Sequence, residues 1–541
     1  MEVTAISDRL LETNVEILWV RDLIRDGSFG QWLACARDWS ISRNRFWGSP
    51  IPVWVSDDPE YPRTDVYGSL DELEADFGVR PTNLHRPYID ELVRPNPDDP
   101  TGTSMMRRVP EVLDCWFESG SMPFAQVHYP FENKEWFESH FPADFIVEYI
   151  NQSRGWFYTL HVLATALFDR PAFQNVICHG ILLADDGAKL SKKLRNYTEP
   201  EEIFENQGSD ALRWYFMSTN IVRGGDTRIS DQAIDDVVRQ VILPIWNAYS
   251  FFTLYANVEG HRATLRTDSP QLLDRYILAK TGELVAAVQA AMDDYDLPGA
   301  AMEIQSFIDA LNNWYIRRSR DRFWGTGGEG ADVDGLDTLA TVLVTLVQVT
   351  APFLPMITEE IWQGLVGDDD DHPDSVHLSD WPAVAAFPAD HELVAAMDRL
   401  RDVASTGLRL REDQGLRVRL PLASVTVAGR DASTLEPFTD LLADELNVKA
   451  VHVTEEIGSL ATFVLRPDGK VLGPRLGKDV QSVFGAARSG DWTANEDGTV
   501  EVAGHTLAAD EYSLALESPE GVTAAALRTN DAVVTIDTDV S

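Results

Sequence analysis

The stretch FIVEYINQSRGWFYTLHVLATALF, residues 145–168, is followed by a second apolar run, VICHGILL, at residues 176–183. The short runs at 145–150 and 176–183 are typical of buried strands, and the longer segment at 156–168 is typical of a helix. The order strand, helix, strand predicts a parallel βαβ unit. We therefore expect residues 111–235, which contain this unit, to form an α/β domain with its ligand beyond the carboxyl ends of the strands.

The sequence after the second run is rich in lysine for this chain. Three of the eight lysines in 541 residues fall within KLSKK at 189–193, although the chain has 87 acidic residues against 45 lysines and arginines, a formal net charge of −42. Such a cluster predicts a polyanionic ligand, because lysine ammoniums can neutralise a triphosphate and the charge that develops on departing pyrophosphate. Ser191 adds a hydroxyl donor. For the string taken alone, a solvated basic turn is the alternative.

The acidic composition predicts a salt-rich environment. At a pI of about 4.5, self-repulsion destabilises a compact protein in dilute buffer, whereas the Debye length shrinks to ~3 Å near 1 M salt. The predicted setting is the cytoplasm of a halophile. High net charge is also a signature of disorder, but 44% apolar residues, 15 Trp and 23 Phe can fill folded cores.

Cysteine usage and hydropathy limit the function classes. Cys35, Cys115 and Cys178 include no Cys-x-x-Cys pair, so neither a disulfide framework nor a zinc site is predicted, and a reducing, cytoplasmic location is expected. No signal peptide is apparent at the N-terminus. The most apolar window, 339–357, contains Gln348 and two prolines, which favours a buried bundle helix over a membrane span.

Changes of pattern along the chain predict a multidomain protein. Residues 1–110 are mixed and turn-rich, which indicates a connecting module before the α/β domain. In residues 236–390, apolar side chains recur at helical spacing, for example between 304 and 315, which predicts an all-helical bundle. Residues 391–541 combine a helical pattern with alternating strand-like runs. We expect an α/β nucleotide-binding domain, an all-α bundle and a small α/β C-terminal domain, in that order.

Four ordered motifs carry a family resemblance. The KLSKK cluster resembles the KMSKS loop of class I aminoacyl-tRNA synthetases, with Leu for Met and Lys for the final Ser. The segment 145–157 is similar to the E-G-x-D-Q-x-R-G-W-F stretch of isoleucyl-tRNA synthetases, with Tyr149 and Asn151 in place of Gly and Asp. The resemblance implies the second half of a Rossmann-like catalytic domain. The other two motifs that look like the family are DWSISRNRFWG at 38–48 and DCWFESG at 114–120, and DALRW at 210–214 also fits the isoleucyl pattern.

The resemblance also implies a role for each matched side chain. Glu148 would hold the ammonium group of the amino acid or of the aminoacyl-adenylate. Lys192 would bind the phosphates of ATP, with Lys189 and Ser191 completing the catalytic loop. ATP is the implied cofactor, and its chemistry implies Mg²⁺. The other implied residues are Asn151 and Gln152 for polar contacts around the adenylate, Trp116 and Trp156 for the walls of the side-chain pocket, and His179 for the side facing the nucleotide.

Two arginine clusters are candidate contacts for RNA phosphates. Arg317, Arg318 and Arg320 lie at the end of an amphipathic helical pattern, and four more arginines lie between 409 and 419. For each cluster, pairing with nearby carboxylates is the alternative. The helical bundle resembles the anticodon-binding domain of the family. The C-terminal segments that look like those of archaeal and eukaryotic members are 408–422 and 471–478.

The resemblance implies the C-terminal part of an isoleucyl-tRNA synthetase, which activates isoleucine with ATP and transfers it to tRNA(Ile). We expect a monomer. No His-x-Gly-His string, the HIGH motif of the family, occurs in the sequence, and most of the family's editing domain has no counterpart, so activity is expected to need a missing N-terminal half. A non-catalytic tRNA-binding fragment, one half of a split enzyme and a valyl-tRNA synthetase remain as alternatives.

Overall fold

The computed structural model describes residues 1–324, 331–367, 371–458, 460–495, 498–517 and 523–538. The chain forms two compact units. The first contains Met1–Leu243, Ala287–Gln305 and Thr350–Thr358, and the second contains Pro244–Ala286, Ser306–Val349 and Glu359–Ser541.

The first unit combines short strands with helices. Its strands are β1 (Leu18–Trp19), β2 (Ser42–Arg43), β3 (Val53–Ser56), β4 (Thr64–Val66), β5 (Arg94–Pro95), β6 (Met105–Arg108), β7 (Val112–Leu113), β8 (Ala143–Tyr149), β9 (Phe173–His179), β10 (Leu182–Leu183) and β11 (Thr227–Arg228). Its helices include α1 (Ser7–Val15), α2 (Gly30–Ala34), α3 (Leu70–Phe77), α4 (Cys115–Ala125), α5 (Lys134–His140), α6 (Trp156–Phe168), α7 (Pro200–Asn206), α8 (Ser209–Ser218) and α9 (Asp231–Val237).

A parallel sheet in the order β1-β9-β8 positions the candidate site. Helix α6 connects β8 to β9, which confirms the predicted βαβ unit. Trp19, Ile146 and Val176 form one row across the three strands and pack with Phe157 of α6 in the core. Because β8 and β9 run in the same direction, their carboxyl ends lie at the same edge of the sheet.

The apolar run 176–183 forms two strands rather than the single strand that its composition predicts. Strand β9 ends at His179, and the amide of Gly180 donates to the carbonyl oxygen of Ile221. A Cβ atom on Gly180 would collide with the carbonyl oxygen of Gly225, so this close approach of two backbone segments requires glycine. Strand β10 then pairs in parallel with β11.

The segment 1–110 divides into two parts, which differs from the single connecting module expected. Apolar residues from Val3 to Leu33 pack in the core of the parallel sheet, and β1 is one of its strands. The later part forms an antiparallel sheet, in the order β4-β3-β6-β5, with a core that includes Trp54, Leu73 of α3 and Met106. The local pattern did not reveal the division, because the contacts of β1 are with residues more than a hundred positions away.

The described part of the predicted helical region contains helices joined by loops, and no strand is assigned in it. Its helices are α10 (Leu243–Glu259), α11 (Leu272–Asp293), α12 (Leu297–Asp309), α13 (Arg320–Trp324), α14 (Val333–Thr350) and α15 (Pro355–Val366). Helix α14 is long and apolar enough to cross a membrane by length and composition, but 83% of its apolar window is buried inside the protein. Its burial matches the bundle helix expected here. The predicted apolar stripe is also buried, at Ile304, Phe307, Ile308, Leu311, Trp314 and Tyr315.

The C-terminal region has the predicted α/β composition. A four-stranded sheet in the order β13-β12-β20-β19 is parallel between β12 and β13 and antiparallel elsewhere. A smaller core joins α18 and α19 to β14 and β16. The helices are α16 (His391–Asp413), α17 (Thr439–Leu446), α18 (Gly469–Leu476) and α19 (Val480–Ser489). The strands are β12 (Leu422–Gly429), β13 (Val448–Thr454), β14 (Thr462–Pro467), β15 (Trp492–Ala494), β16 (Val500–Val502), β17 (His505–Leu507), β18 (Tyr512–Glu517), β19 (Ala524–Ala526) and β20 (Ala532–Asp537).

Candidate active site

The register of β8 and β9 brings two predicted site residues to the same edge of the parallel sheet. Glu148 lies beside Cys178, and Tyr149 lies beside His179. The Nδ1 of His179 is 2.8 Å from the carbonyl oxygen of Gly180, so Nδ1 carries the hydrogen and Nε2 remains an acceptor in the neutral ring. Burial raises the pKa of the Cys178 thiol to about 12. Cys178 is therefore an uncharged packing residue, and Glu148 and His179 are the polar groups of this edge.

The turn after β8 gives Asn151 and Gln152 different partners. Asn151 is exposed, and its Nδ2 donates to the phenol oxygen of Tyr149 at 2.7 Å. Gln152 accepts the amide of Trp156 on its Oε1 at 2.9 Å, which satisfies a free N–H group in the first turn of α6. Tyr149 and Asn151 are the two positions that depart from the family motif. The sequence did not reveal that they are hydrogen-bonded to each other.

The two predicted pocket tryptophans lie where α4 meets α6. The indole N–H of Trp156 donates to the carbonyl oxygen of Ser119 at 3.1 Å, which joins the two helices. The ring of Trp116 packs over Gly155, where an added Cβ would lie 3.2 Å from its Cη2 atom. Trp116 is 42% exposed. Trp116 is thus accessible to a ligand. Trp156, in contrast, is held in place by its hydrogen bond to Ser119.

Asp114 joins two of the sequence motifs through its buried carboxylate. It accepts the indole N–H of Trp39 at 3.0 Å and a guanidinium N–H of Arg43 at 2.6 Å, both from the segment 38–48. It also accepts the backbone amide of Trp116 at 3.3 Å and so caps α4. Sequence reasoning included Asp114 in a motif without assigning it a role. The structure shows that it positions Trp116.

The lysine cluster lies in an exposed loop directly after β10. The side chains of Lys189, Lys192 and Lys193 are all exposed, and Lys189 forms a backbone bridge with the end of β10. Lys134 and Lys280 pair with carboxylates, whereas the ion pairs found in the described part of the chain include none of the loop lysines. The loop therefore presents uncompensated positive charge beyond the carboxyl end of a parallel strand, where ligands of α/β sheets bind.

Comparison with known proteins identifies the family. Residues 1–230 match the model for tRNA synthetases class I (I, L, M and V), and residues 274–427 match the model for the anticodon-binding domain of tRNA ligase. Residues 1–230 thus belong to the class I tRNA synthetase family, and residues 274–427 to the anticodon-binding domain family. The first match contains all the residues predicted to bind the adenylate and the phosphates.

Several relatives of this chain come from actinobacteria. It is 57% identical over 539 residues to the isoleucine–tRNA ligase of Nocardia farcinica and 55% identical over 541 residues to that of Mycobacterium tuberculosis. The isoleucine–tRNA ligase of Leifsonia xyli subsp. xyli is 58% identical over 523 residues. These alignments cover 100%, 100% and 95% of this chain but 50%, 51% and 46% of those proteins. The chain thus spans about half their length, and the relatives do not support the archaeal or eukaryotic type predicted from the C-terminal segments.

Two solved structures are similar at low sequence identity. The methionyl-tRNA synthetase of Mycobacterium tuberculosis bound by methionyl-adenylate aligns with a TM-score of 0.49 and 18% identity, over 72% of this chain and 67% of that chain. The LeuRS–tRNA–LeuAMS ternary complex of Agrobacterium radiobacter aligns with a TM-score of 0.46 and 20% identity, over 66% of this chain and 44% of that chain.

Two of the arginines predicted to contact tRNA have carboxylate partners. Arg317 donates to Glu445 at 2.5 Å, and Arg318 donates to Glu445 at 2.9 Å and to Asp444 at 3.1 Å. The side chain of Glu445 is 4% exposed. Pairing with carboxylates, the alternative that the sequence left open, therefore applies to Arg317 and Arg318, and their contact with RNA remains a prediction. Arg320 is exposed, and its contact with tRNA stays a prediction.

The second arginine cluster also contains a structural residue. Arg411 is fully buried at the end of α16, and its guanidinium donates to the carbonyl oxygens of Leu446, Arg417 and Leu420. These bonds fold the segment after α16 back onto the helix. Arg411 is therefore inaccessible to a phosphate, which the spacing of the arginines in the sequence could not show.

Proposed function

We propose that this chain is the C-terminal part of an isoleucine–tRNA ligase, which activates isoleucine with ATP, releases pyrophosphate and transfers the amino acid to tRNA(Ile). The observation that carries the proposal is the exposed lysine loop after β10 in a chain that is 55–58% identical to proteins of that name. The match of residues 274–427 to an anticodon-binding domain supports tRNA as the second substrate.

Each side chain at the edge of the sheet has a role that suits its chemistry. The carboxylate of Glu148 binds the ammonium group of isoleucine, since it is an acceptor for a fixed cation. His179 offers an Nε2 acceptor to the nucleotide, and the exposed face of Trp116 contacts the aliphatic side chain together with Trp156. Asn151 and the free amide nitrogen of Gln152 make polar contacts with the adenylate.

The lysine loop acts on the phosphates. Lys189 and Lys192 carry charges that stabilise the triphosphate and then the pyrophosphate as negative charge develops on it. Ser191 supplies a hydroxyl donor. The described residues contain no group of three or more His, Cys, Asp and Glu side chains that could hold a metal ion, so we expect Mg²⁺ to reach the site on the phosphates of ATP, where it would neutralise part of their charge.

The exposed face of the parallel sheet supports the view that a further polypeptide segment completes the site. Leu18 and Val147 lie on the face opposite the α6 core, and they are 50% and 48% exposed. Parallel sheets are normally covered on both faces. The relatives are about twice as long as this chain, so they contain additional residues that can cover this face.

The cellular setting follows from the same proposal. We infer a location in the cytoplasm, because the substrates ATP, isoleucine and tRNA are found there. We also infer that the protein is a monomer. The net charge of −42 supports a salt-rich cytoplasm, as in a halophile. A non-catalytic tRNA-binding fragment is the second candidate function, and it is favoured by the half-length match to the relatives.

Isoleucine-dependent ATP–pyrophosphate exchange separates these candidates. We expect little exchange from the isolated chain, and restored exchange when it is mixed with a polypeptide equivalent to the other half of the Nocardia farcinica relative. Exchange in neither sample, with tRNA binding intact, would instead support the non-catalytic fragment. Strong exchange by the chain alone would refute both the fragment and the need for a second half.

The same assay with valine tests the choice of amino acid. A buried CH₂ group contributes only ~0.8 kcal/mol, so valine is expected to support some exchange at a higher concentration than isoleucine. A preference for valine would identify the valyl enzyme and would overturn the isoleucine assignment.

A further inference from the structure

One side chain bonds the backbone of the lysine loop at two positions. The Oδ1 of Asn196 accepts the backbone amide of Ser191 at 2.9 Å, and its Nδ2 donates to the backbone carbonyl of Lys189 at 3.1 Å. A single amide group therefore donates to the first residue of the lysine cluster and accepts from the third. We call this pair of bonds the Asn196 clamp.

Other backbone bonds make the loop compact on either side of the clamp. The amides of Leu194 and Arg195 both donate to the carbonyl oxygen of Ser191, at 3.1 and 2.9 Å. Arg195 has a φ of +48°, a left-handed conformation that reverses the chain direction. The amide of Ala184 donates to the carbonyl oxygen of Ala188 at 2.8 Å, so the segment before the lysines is also a closed turn.

Apolar packing contributes little to the order of this loop. Leu194 is 68% exposed, and the three lysines are exposed as well. Like charges within five positions repel one another, and this repulsion favours an open loop. The two bonds of Asn196 oppose the opening, because they hold the backbone of Lys189 and Ser191 together from outside the charged segment.

We propose that Asn196 is a positioning residue for the phosphates of ATP. It acts through the loop and does not touch the substrate: the clamp holds the lysine backbone so that the charges converge on one ligand. This inference rests on the proposed function for its ligand, but the clamp itself is tested separately. Asn196 suits the task because a neutral amide both donates and accepts, whereas a carboxylate could only accept.

Trypsin cleavage of the 541-residue chain tests the clamp, because the loop offers cleavage sites after Lys189, Lys192, Lys193 and Arg195. Loss of the two hydrogen bonds of Asn196, one partly buried and one exposed, is expected to increase cleavage in the loop of Asn196→Ala about tenfold. Asn196→Asp keeps the acceptor and should be cleaved at an intermediate rate. The matched control is Asn495→Ala, which removes another loop asparagine that bonds Thr499 at 2.9 Å. Equal loop cleavage in Asn196→Ala and Asn495→Ala would overturn the clamp.

Protection by MgATP tests the link to phosphate binding. In the chain mixed with a polypeptide equivalent to the other half of the Nocardia farcinica relative, we expect MgATP to slow loop cleavage, and Asn196→Ala to need several-fold more MgATP for half-maximal protection. A loop that is merely looser would be cleaved faster with an unchanged MgATP midpoint, and that result would refute the positioning role. Absence of protection in the reconstituted parent protein would contradict the proposed function, while the cleavage rates of the isolated chain still decide the clamp.

Discussion

At the scale of single residues, His161 is a fully buried titratable group outside the proposed reaction. Its Nε2 lies 2.9 Å from the carbonyl oxygen of Leu10, and burial lowers its pKa from 6.5 to about 4. In the unfolded chain the ring binds a proton below about pH 6.5, whereas in the folded protein it stays neutral down to about pH 4. The free energy of unfolding therefore falls as the pH drops from 6.5 toward 4, and it is unaffected by this group above pH 7.

Replacement of His161 tests this titration. At pH 5.5, this ring is expected to lower the free energy of unfolding of the parent chain by about 1 kcal/mol relative to pH 7.5. His161→Gln should lose less stability over the same interval, because glutamine cannot take up the proton. Urea unfolding at the two pH values measures the difference. His452→Gln, at an exposed position, is the control, and an equal pH dependence in all three proteins would contradict the assignment.

Sequence reasoning found charged groups more readily than the residues that position them. Lys192 and Glu148 stood out because charge and motif mark them. Asn196 and Asp114 did not stand out, since their function depends on backbone groups and side chains up to 75 positions away. The ion pair of Arg318 could not be inferred for the same reason, because its partner Glu445 lies 127 positions along the chain.

At the scale of elements, Asp210 connects α8 to the first turn of α15. Its buried carboxylate accepts the amides of Met356 at 3.1 Å and Ile357 at 2.8 Å, two of the free N–H groups of that turn. We expect Asp210→Ala to lower the free energy of unfolding by about 1–2 kcal/mol. Asp210→Asn keeps an acceptor and should cost less. Urea denaturation compares the two variants, and an unchanged free energy of unfolding in Asp210→Ala would show that the cap is unimportant.

The arginine pair on α17 gives a second element-scale prediction. Arg318→Ala leaves the buried Glu445 with one partner, Arg317, and should lower the free energy of unfolding by about 2 kcal/mol. Arg320→Ala should change it by less than about 0.5 kcal/mol but weaken tRNA binding. Thermal unfolding and a tRNA filter-binding titration distinguish the two effects. Weaker tRNA binding in Arg318→Ala at unchanged stability would support the predicted contact between that residue and tRNA.

Elements that depend on contacts between residues close together in the sequence could be predicted from it. The helix 156–168 and the stripe between 304 and 315 follow the helical period, so their existence could be inferred from sequence. The break at Gly180 and the place of β1 in the sheet could not. Each depends on a distant segment, Gly225 in the first instance and β9 in the second.

At the scale of the whole molecule, net charge should govern stability in salt. The charge of −42 leaves repulsion that ion pairs within the chain cannot cancel. Because the Debye length falls from ~10 Å at 0.1 M to ~3 Å at 1 M salt, we expect the midpoint of thermal unfolding to rise when KCl is increased over that range. Sucrose at equal osmolality controls for exclusion of the solute. An unchanged or lower midpoint in KCl would contradict the salt-rich setting.

The order of domains was accessible from sequence because each region has its own pattern: βαβ, helical stripe, then alternating strands. The family resemblance added the roles at the sheet edge. The boundary within residues 1–110 was missed, since that segment supplies both a strand of the parallel sheet and a separate antiparallel sheet. Composition alone does not distinguish these two environments.

The central claim, that the lysine loop binds the phosphates of ATP, is tested most directly by Lys192→Ala in the reconstituted or full-length enzyme. Isoleucine-dependent ATP–pyrophosphate exchange and tRNA affinity are measured on the same preparation, with Lys470→Ala as an exposed control. We predict that Lys192→Ala reduces exchange at least about a hundredfold, equivalent to ~2.7 kcal/mol, and leaves tRNA affinity unchanged. Equal loss of exchange and tRNA binding, or no loss of exchange, would contradict the account.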